Sequence, residues 1–168
     1  IADEAGKPLD TQIRAHKELG WKHVELRQVD NTTVAYASDA EFGSMRERLA
    51  KAGMQVTSVA SAIANWARDI SDPIEKDVDE LKRSIPRMQA LGAKFIRVMS
   101  WVNKKGMSET DWRKEAIRRL KELAKMAEDG GIVMVHENCH GWASLSPENT
   151  NIAVDEVNSP AFKLVFAS

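Results

Sequence analysis

Ile132-Val133-Met134-Val135-His136-Glu137-Asn138-Cys139-His140-Gly141 runs from four apolar residues directly into an imidazole, a carboxylate, an amide and a thiol. A short apolar run that opens just after Gly130-Gly131 reads as a buried strand, and the end of such a strand is where polar side chains can meet a cavity. Alternate strand residues point to opposite faces, so Val133, Val135 and Glu137 share one side while Met134 and His136 share the other. With the valines turned inward, Glu137 enters an open strand-end mouth as a metal ligand or general base, set against the plainer alternative of a salt-bridged strand cap. His136 is then a packed histidine on the helix-facing side. Asn138 either orients Glu137 or caps the loop. His140, beside Gly141, stands where a ligand can approach closely. Cys139 next to His140 invites a thiol nucleophile, but adjacency alone supplies neither the geometry nor the thiolate.

The pattern extends outward in both directions. Upstream, Ser108-Glu109-Thr110-Asp111 resembles a capping start, with Trp112, Ile117, Leu120 and Leu123 on the inward side of a long helix that Gly130-Gly131 ends. Downstream, residues 147–157 form a short helical connection and residues 162–166 a final strand. Before the long helix comes a strand at 95–99. It is preceded by a helix opened at Asp72-Pro73, carrying Ile74, Val78, Leu81, Ile85 and Met88 to Leu91-Gly92, with a bend expected at Pro86. Earlier still, a helix after Asp39 packs Phe42, Met45 and Leu49, stops at Gly53 and leads to a strand at 54–59. A first helix, 9–19, aligns Ile13, His16 and Leu19, ends at Gly20 and leads to His23-Val24-Glu25-Leu26-Arg27.

Strands separated by helices, in apolar runs rather than strict alternation, predict an α/β fold with about five parallel strands covered by outer helices. A doubly wound sheet would share this rhythm. A complete eight-stranded barrel needs about 250 residues, so the expectation is a partial (β/α)8 TIM barrel. Residues 1–168 are read as a single incomplete domain whose edges another segment or a second copy covers.

Composition narrows the function. Of 168 residues, 43% are hydrophobic, which is enough for a substantial core and unlike a disordered chain. Lys and Arg number 24 against 25 Asp and Glu, without a basic run interleaved with aromatics, so the footprint of a general nucleic-acid binder is absent. The single cysteine excludes an intrachain disulfide and a cysteine-rich zinc site, and fits a reducing, cytoplasmic setting. No apolar stretch reaches membrane-spanning length, and Ile1 opens a polar segment rather than a signal peptide. The acidic Asp77-Val78-Asp79-Glu80 run and the Lys104-Lys105 pair read as solvated surface.

Other strand ends offer partners for Glu137. Glu25 shares its side of the first strand with His23 and Arg27, a set that is costly to bury unless paired or facing a cavity. It is a candidate to converge with Glu137, against the alternative of an ion pair with Arg97. Arg97 suits a substrate carboxylate or phosphate as well as an internal pair. Trp66, Trp101 and Trp142 each follow a strand, and together they predict apolar pocket walls.

The segments Gly20-Trp21-Lys22-His23-Val24-Glu25-Leu26-Arg27, Gly92-Ala93-Lys94-Phe95-Ile96-Arg97-Val98, His136-Glu137-Asn138 and Ser159-Pro160-Ala161-Phe162-Lys163-Leu164-Val165-Phe166 carry a further signal in their order and spacing. Through them nearly the whole chain resembles the xylose-isomerase-like sugar phosphate isomerase/epimerase superfamily, related in fold to endonuclease IV-type enzymes. The resemblance implies a barrel with a divalent cation, manganese or magnesium with zinc as the alternative, held by Glu, Asp, His and Glu from later strand ends. Glu137 matches the first ligand. The Asp would follow Phe166, where this chain has Ala167, and the other two would lie beyond Ser168. The implied activity is aldose-ketose isomerisation or epimerisation of a small sugar or sugar phosphate by metal-assisted proton transfer. In it Glu137 would bind metal and move the proton, Glu25 and Arg97 would shape the polar pocket, and His140 would contact a hydroxyl. With one of four ligands present, that activity is implied for a parent enzyme rather than for this polypeptide. The alternatives are a metal-dependent endonuclease of the related barrel and a non-catalytic, oligomerising fragment.

Overall fold

The computed structural model describes residues 1–166; Ala167, the position singled out above, lies outside the described residues. Among the described residues, seven strands, β1 (His23–Leu26), β2 (Gln28–Val29), β3 (Thr32–Thr33), β4 (Gln55–Ala60), β5 (Phe95–Ser100), β6 (Val133–Gly141) and β7 (Phe162–Val165), accompany five α-helices. The helices are α1 (Leu9–Glu18), α2 (Asp39–Ala52), α3 (Glu75–Leu91), α4 (Glu109–Asp129) and α5 (Pro147–Val157), with single 3-10 turns at Ala2–Ala5 and Trp142–Ser144. Five strands make one parallel sheet in the order β1-β4-β5-β6-β7 flanked by outer helices, the expected part of a (β/α)8 barrel. β2 and β3 form a separate antiparallel pair that the apolar pattern did not announce, with Asp30 between them at φ 54°. Among the described residues, no helix is long and apolar enough to cross a membrane.

The chain divides into two compact units, residues 1–60 with 83–95 and residues 61–82 with 96–168. In the first, Leu9, Val24, Leu26, Val29, Met45, Leu49, Val56 and Val59 are buried. Helix α2 begins where expected for a chemical reason: the Ser38 side chain accepts from Glu41 N–H while the Glu41 carboxylate accepts from Ser38 N–H, a reciprocal capping box. β1 and β4 pair with a register shift at Val24/Glu25, which sets Glu25 opposite Ser58.

In the second unit, α4 packs on β6 and α5, contributing Ile117, Leu120, Leu123, Ala124 and Ala127 to the core. Ser108 caps it by accepting from Asp111 N–H. β6 pairs with β7 from Met134↔Phe162 to Glu137↔Val165.

Three expectations are corrected. The helix predicted from Asp72-Pro73 begins at Glu75, because Asp72 is committed elsewhere: its N–H donates to the Asp69 carbonyl and its carboxylate takes Lys105 Nζ at 2.7 Å. It then continues through Pro86 to Leu91. β6 is also longer than its apolar run, reaching Gly141. Third, the acidic run does not simply solvate a surface, since Asp77 and Glu80 are buried. Asp77 Oδ1 accepts from Ala64 N–H at 2.7 Å and from Arg68 Nη1 at 2.6 Å, and Oδ2 accepts from Trp101 Nε1 at 3.0 Å. Glu80 accepts from Ala62 N–H at 2.8 Å and pairs with Arg68 Nη2. Buried carboxylates are tolerated when paired and hydrogen-bonded in this way. Here they hold the segment after β4, where Ala64 stands at φ 58° and bonds Trp101 N–H at 2.7 Å, with Trp101 itself at φ 53°.

Candidate functional site

Residue parity on β6 sorts its polar end. Met134 and His136 are buried, whereas Val133, Val135 and Glu137 are half-buried on the opposite side. His136 packs against the Phe162 ring and shares a hydrogen bond with Ser100 Oγ at 3.2 Å. Burial alone lowers its pKa to about 4, so the imidazole is neutral at pH 7, as befits a packed histidine.

Glu137 meets Arg97 of β5. Arg97 Nη1 donates to Glu137 Oε2 at 3.1 Å, and the two side chains are 11% and 12% exposed. Arg97 Nη2 also donates to the Ser61 carbonyl at 3.3 Å, while Nε is buried without a partner among the described residues. Ser61, which no sequence signal picked out, donates its Oγ to the Arg97 carbonyl at 2.6 Å. The salt-bridged alternative for Glu137 is therefore realised, but in a nearly dry strand-end setting rather than on an open surface.

Beyond Glu137 on the same strand, Cys139 is exposed and its Sγ lies 2.9 Å from His140 Nδ1. The contact does not activate the thiol. Burial of the sulfur and the Glu137 charge push the Cys139 pKa up against the opposing pull of Arg97, which keeps the thiol protonated. The His140 carbonyl accepts from Ser100 Oγ and Ser144 Oγ, both at 3.3 Å, fixing the backbone while its side chain stays exposed. Asn138, by parity opposite to Glu137, lines a separate hollow of about 300 Å³ with Leu145, Pro147, Thr150, Leu164 and Phe166.

The tryptophans do not form a common wall. Trp101 is fully buried, with its Nε1 on Asp77 and its ring under the Arg119 guanidinium at 5.5 Å. Trp142 is also in the core, beneath Arg113 at 5.9 Å. Of these three, Trp66, 57% exposed, has a ring face to offer. The Trp101 and Trp142 indoles follow strands because they anchor the chain there, a role that sequence position does not separate from ligand stacking. In the first unit, Glu25 accepts from Ser58 Oγ at 3.1 Å, the bond that the β1 register shift makes available. Arg27, from the same side, is spent on Asp3 at 2.9 Å.

The donor set does not by itself make a divalent-cation centre. Among the described residues, no group of three or more His, Cys, Asp or Glu side chains is placed to hold a metal, and Glu137 already has Arg97 as its counter-charge.

Comparisons follow the fold closely. A xylose isomerase-like TIM barrel protein from Mycobacterium smegmatis in complex with magnesium superimposes with a TM-score of 0.73 at 21% identity, over 95% of this chain and 57% of that one. L-ribulose 3-epimerase gives 0.71 at 16%, over 94% and 54%, and 3-keto-D-glucoside 4-epimerase from E. coli gives 0.69 at 19%, over 93% and 62%. The chain thus spans a little over half the length of these structures, and at such identities the likeness is one of fold. None of the curated proteins matches it. Residues 13–167 match the family model described as xylose isomerase-like TIM barrel, and the chain belongs to that family.

Proposed function

We propose that the complete barrel to which this chain corresponds is a sugar or sugar-phosphate isomerase or epimerase, and that this chain forms a single incomplete domain of it. The observation that carries the reading is Glu137: a carboxylate at the end of a parallel strand, on the side of Val133 and Val135, held almost dry by Arg97. Isomerisation and epimerisation next to a carbonyl both begin by moving a carbon-bound proton, and a carboxylate is a suitable base for it. Two of the structurally similar proteins are sugar epimerases by name, which favours this class over the endonuclease alternative.

The residue roles follow from position. Glu137 takes and returns the proton, and Glu25, tied to Ser58, is a second carboxylate to be tested by its own substitution. Exposed His140 and Trp66 are the side chains that can meet hydroxyls and the apolar face of a sugar. A divalent cation, manganese or magnesium with zinc second, belongs to the proposal for the complete barrel. Of the four ligands in the family pattern, Glu137 is the one found among the described residues. A cytoplasmic protein acting on a soluble small sugar, with a second copy able to cover exposed edges, completes the reading.

The test is deuterium uptake from D2O into a panel of aldoses, ketoses and their phosphates, followed by proton NMR with Mn2+, Mg2+ or Zn2+ supplied. It would be run on this chain and on a complete barrel built on it. Uptake at the carbon beside the carbonyl, lost in Glu137→Gln, is the expected result. No uptake from any sugar in either protein rejects the reading.

A further inference from the structure

Arg97 is gripped at both ends by one residue. Its Nη2 donates to the Ser61 carbonyl at 3.3 Å, and its own carbonyl accepts from Ser61 Oγ at 2.6 Å. Ser61 is in turn fixed, since Oγ also accepts from Ile63 N–H at 3.2 Å and the residue is buried. Swinging the guanidinium away therefore breaks a side-chain bond against a carbonyl that the strand end holds in place. A further bond runs from Nη1 to Glu137 Oε2, while Nε is buried with no acceptor among the described residues. A buried N–H without a partner is unfavourable, because it has given up its bond to water. An arginine kept in that state is oriented by its surroundings rather than by its own best hydrogen bonding. The same contacts treat the two oxygens of Glu137 differently: Oε2 is tethered, and Oε1 accepts no hydrogen bond among the described residues.

We infer that Arg97, clamped by Ser61, is a positioning residue for Glu137: it pins Oε2 and supplies the counter-charge, so that Oε1 is the oxygen presented to substrate. The inference rests on the proposed function for its chemical meaning, and on Arg97 geometry alone for its structural content. Positioning of a reacting group within about half an ångström is what locked neighbouring side chains contribute to a site. Arg97 touches neither substrate nor proton in this scheme. It sets where Glu137 stands.

Two measurements separate the geometry from the function. In the first, the side-chain Nε–H of Arg97 is observed by nitrogen-proton correlation NMR in this chain and identified by its loss in Arg97→Lys. It is expected to exchange with water at least ten-fold more slowly than the exposed Arg14 and Arg46, and Ser61→Ala and Glu137→Ala should each accelerate it. Exchange as fast as in the surface arginines, or unaltered by both substitutions in variants whose circular dichroism is unchanged, overturns the inference. In the second, Arg97→Gln in the complete barrel lowers kcat ten- to a hundred-fold with KM changed less than three-fold, and Arg97→Lys recovers part of kcat. A change confined to KM would make Arg97 a substrate-binding residue and overturn the positioning role. If no sugar is turned over by the unmodified protein, the isomerase reading fails while the exchange measurement still decides the tether.

Discussion

Replacing Gly141 with alanine tests how the end of β6 is built. A Cβ at this position would stand 2.4 Å from the Ser100 carbonyl carbon, 2.5 Å from Ser100 Oγ and 2.6 Å from Ser100 O, and the backbone sits at φ +99°. Two costs combine. A side chain at positive φ costs roughly 1–2 kcal/mol, and forcing an extra carbon into packed surroundings costs about 1–3 kcal/mol. Gly106→Ala isolates the first cost, because Gly106 has φ +74° and nothing within 4 Å of the added carbon. We expect Gly106→Ala to lose about 1 kcal/mol and Gly141→Ala roughly 2–5 kcal/mol in urea unfolding followed by tryptophan fluorescence. Ser100→Ala should not rescue Gly141→Ala, since two of the three close atoms are main chain. The consequence reaches the site: Ser100 Oγ also serves His136 Nε2 at 3.2 Å and Ala143 N–H at 3.0 Å, so displacing it loosens the strand that carries Glu137. A difference below about 1 kcal/mol between the two glycine variants would refute the claim that close approach, rather than backbone conformation, requires glycine at 141.

Asp77→Ala strands Ala64 N–H and Trp101 Nε1 and leaves Arg68 with Glu80 alone, so a loss of about 3–5 kcal/mol is expected by the same unfolding assay, and Asp77→Asn should lose less. His136 carries a pH dependence of definite sign. Its folded pKa, about 4, lies below the unfolded 6.5, so the unfolded chain binds the proton first and stability drains away as pH falls from about 6.5 to about 4. At 1.36 kcal/mol per unit this amounts to about 3 kcal/mol, read as a falling urea midpoint that flattens in His136→Gln. For Cys139, alkylation by iodoacetamide at pH 7.5 should be slower than that of a free thiol despite exposure. Arg97→Gln should slow it further and Glu137→Gln should speed it, because these two charges pull the thiol in opposite directions. Rates indifferent to both substitutions would contradict that electrostatic account.

The elements were legible because each obeys a local rule. Ser38 and Glu41 cap one another three residues apart, Gly53 ends α2 at φ +71°, and Val133 to Val135 are apolar because their strand is covered. What was not legible depends on residues distant in sequence. Nothing in Asp77-Val78-Asp79-Glu80 says that Arg68 and Trp101 will arrive to neutralise and bond the acids, so a run of three carboxylates in four residues reads as solvated. The tryptophans failed for a related reason. An indole after a strand is equally suited to sealing a core and to stacking on a sugar, and only the Asp77 bond shows that Trp101 does the former. Ser61 gave no signal at all, since its role lies in two carbonyl contacts with Arg97.

Glu137 shows why the remaining alternatives belonged together. Parity placed it correctly opposite the buried Met134 and His136, but could not choose between a salt-bridged cap and a reactive acid. The structure pairs it with Arg97, which by itself would suggest a structural role, since exposed pairs contribute little and buried ones often only offset their own desolvation. Arg97 also keeps Nε buried and without a partner among the described residues while Ser61 holds it from two sides. Such an arrangement gives up hydrogen bonding to fix direction. What it fixes is the carboxylate at the strand end, one oxygen tied and the other without a partner among the described residues, and on this arrangement the proposed proton transfer rests.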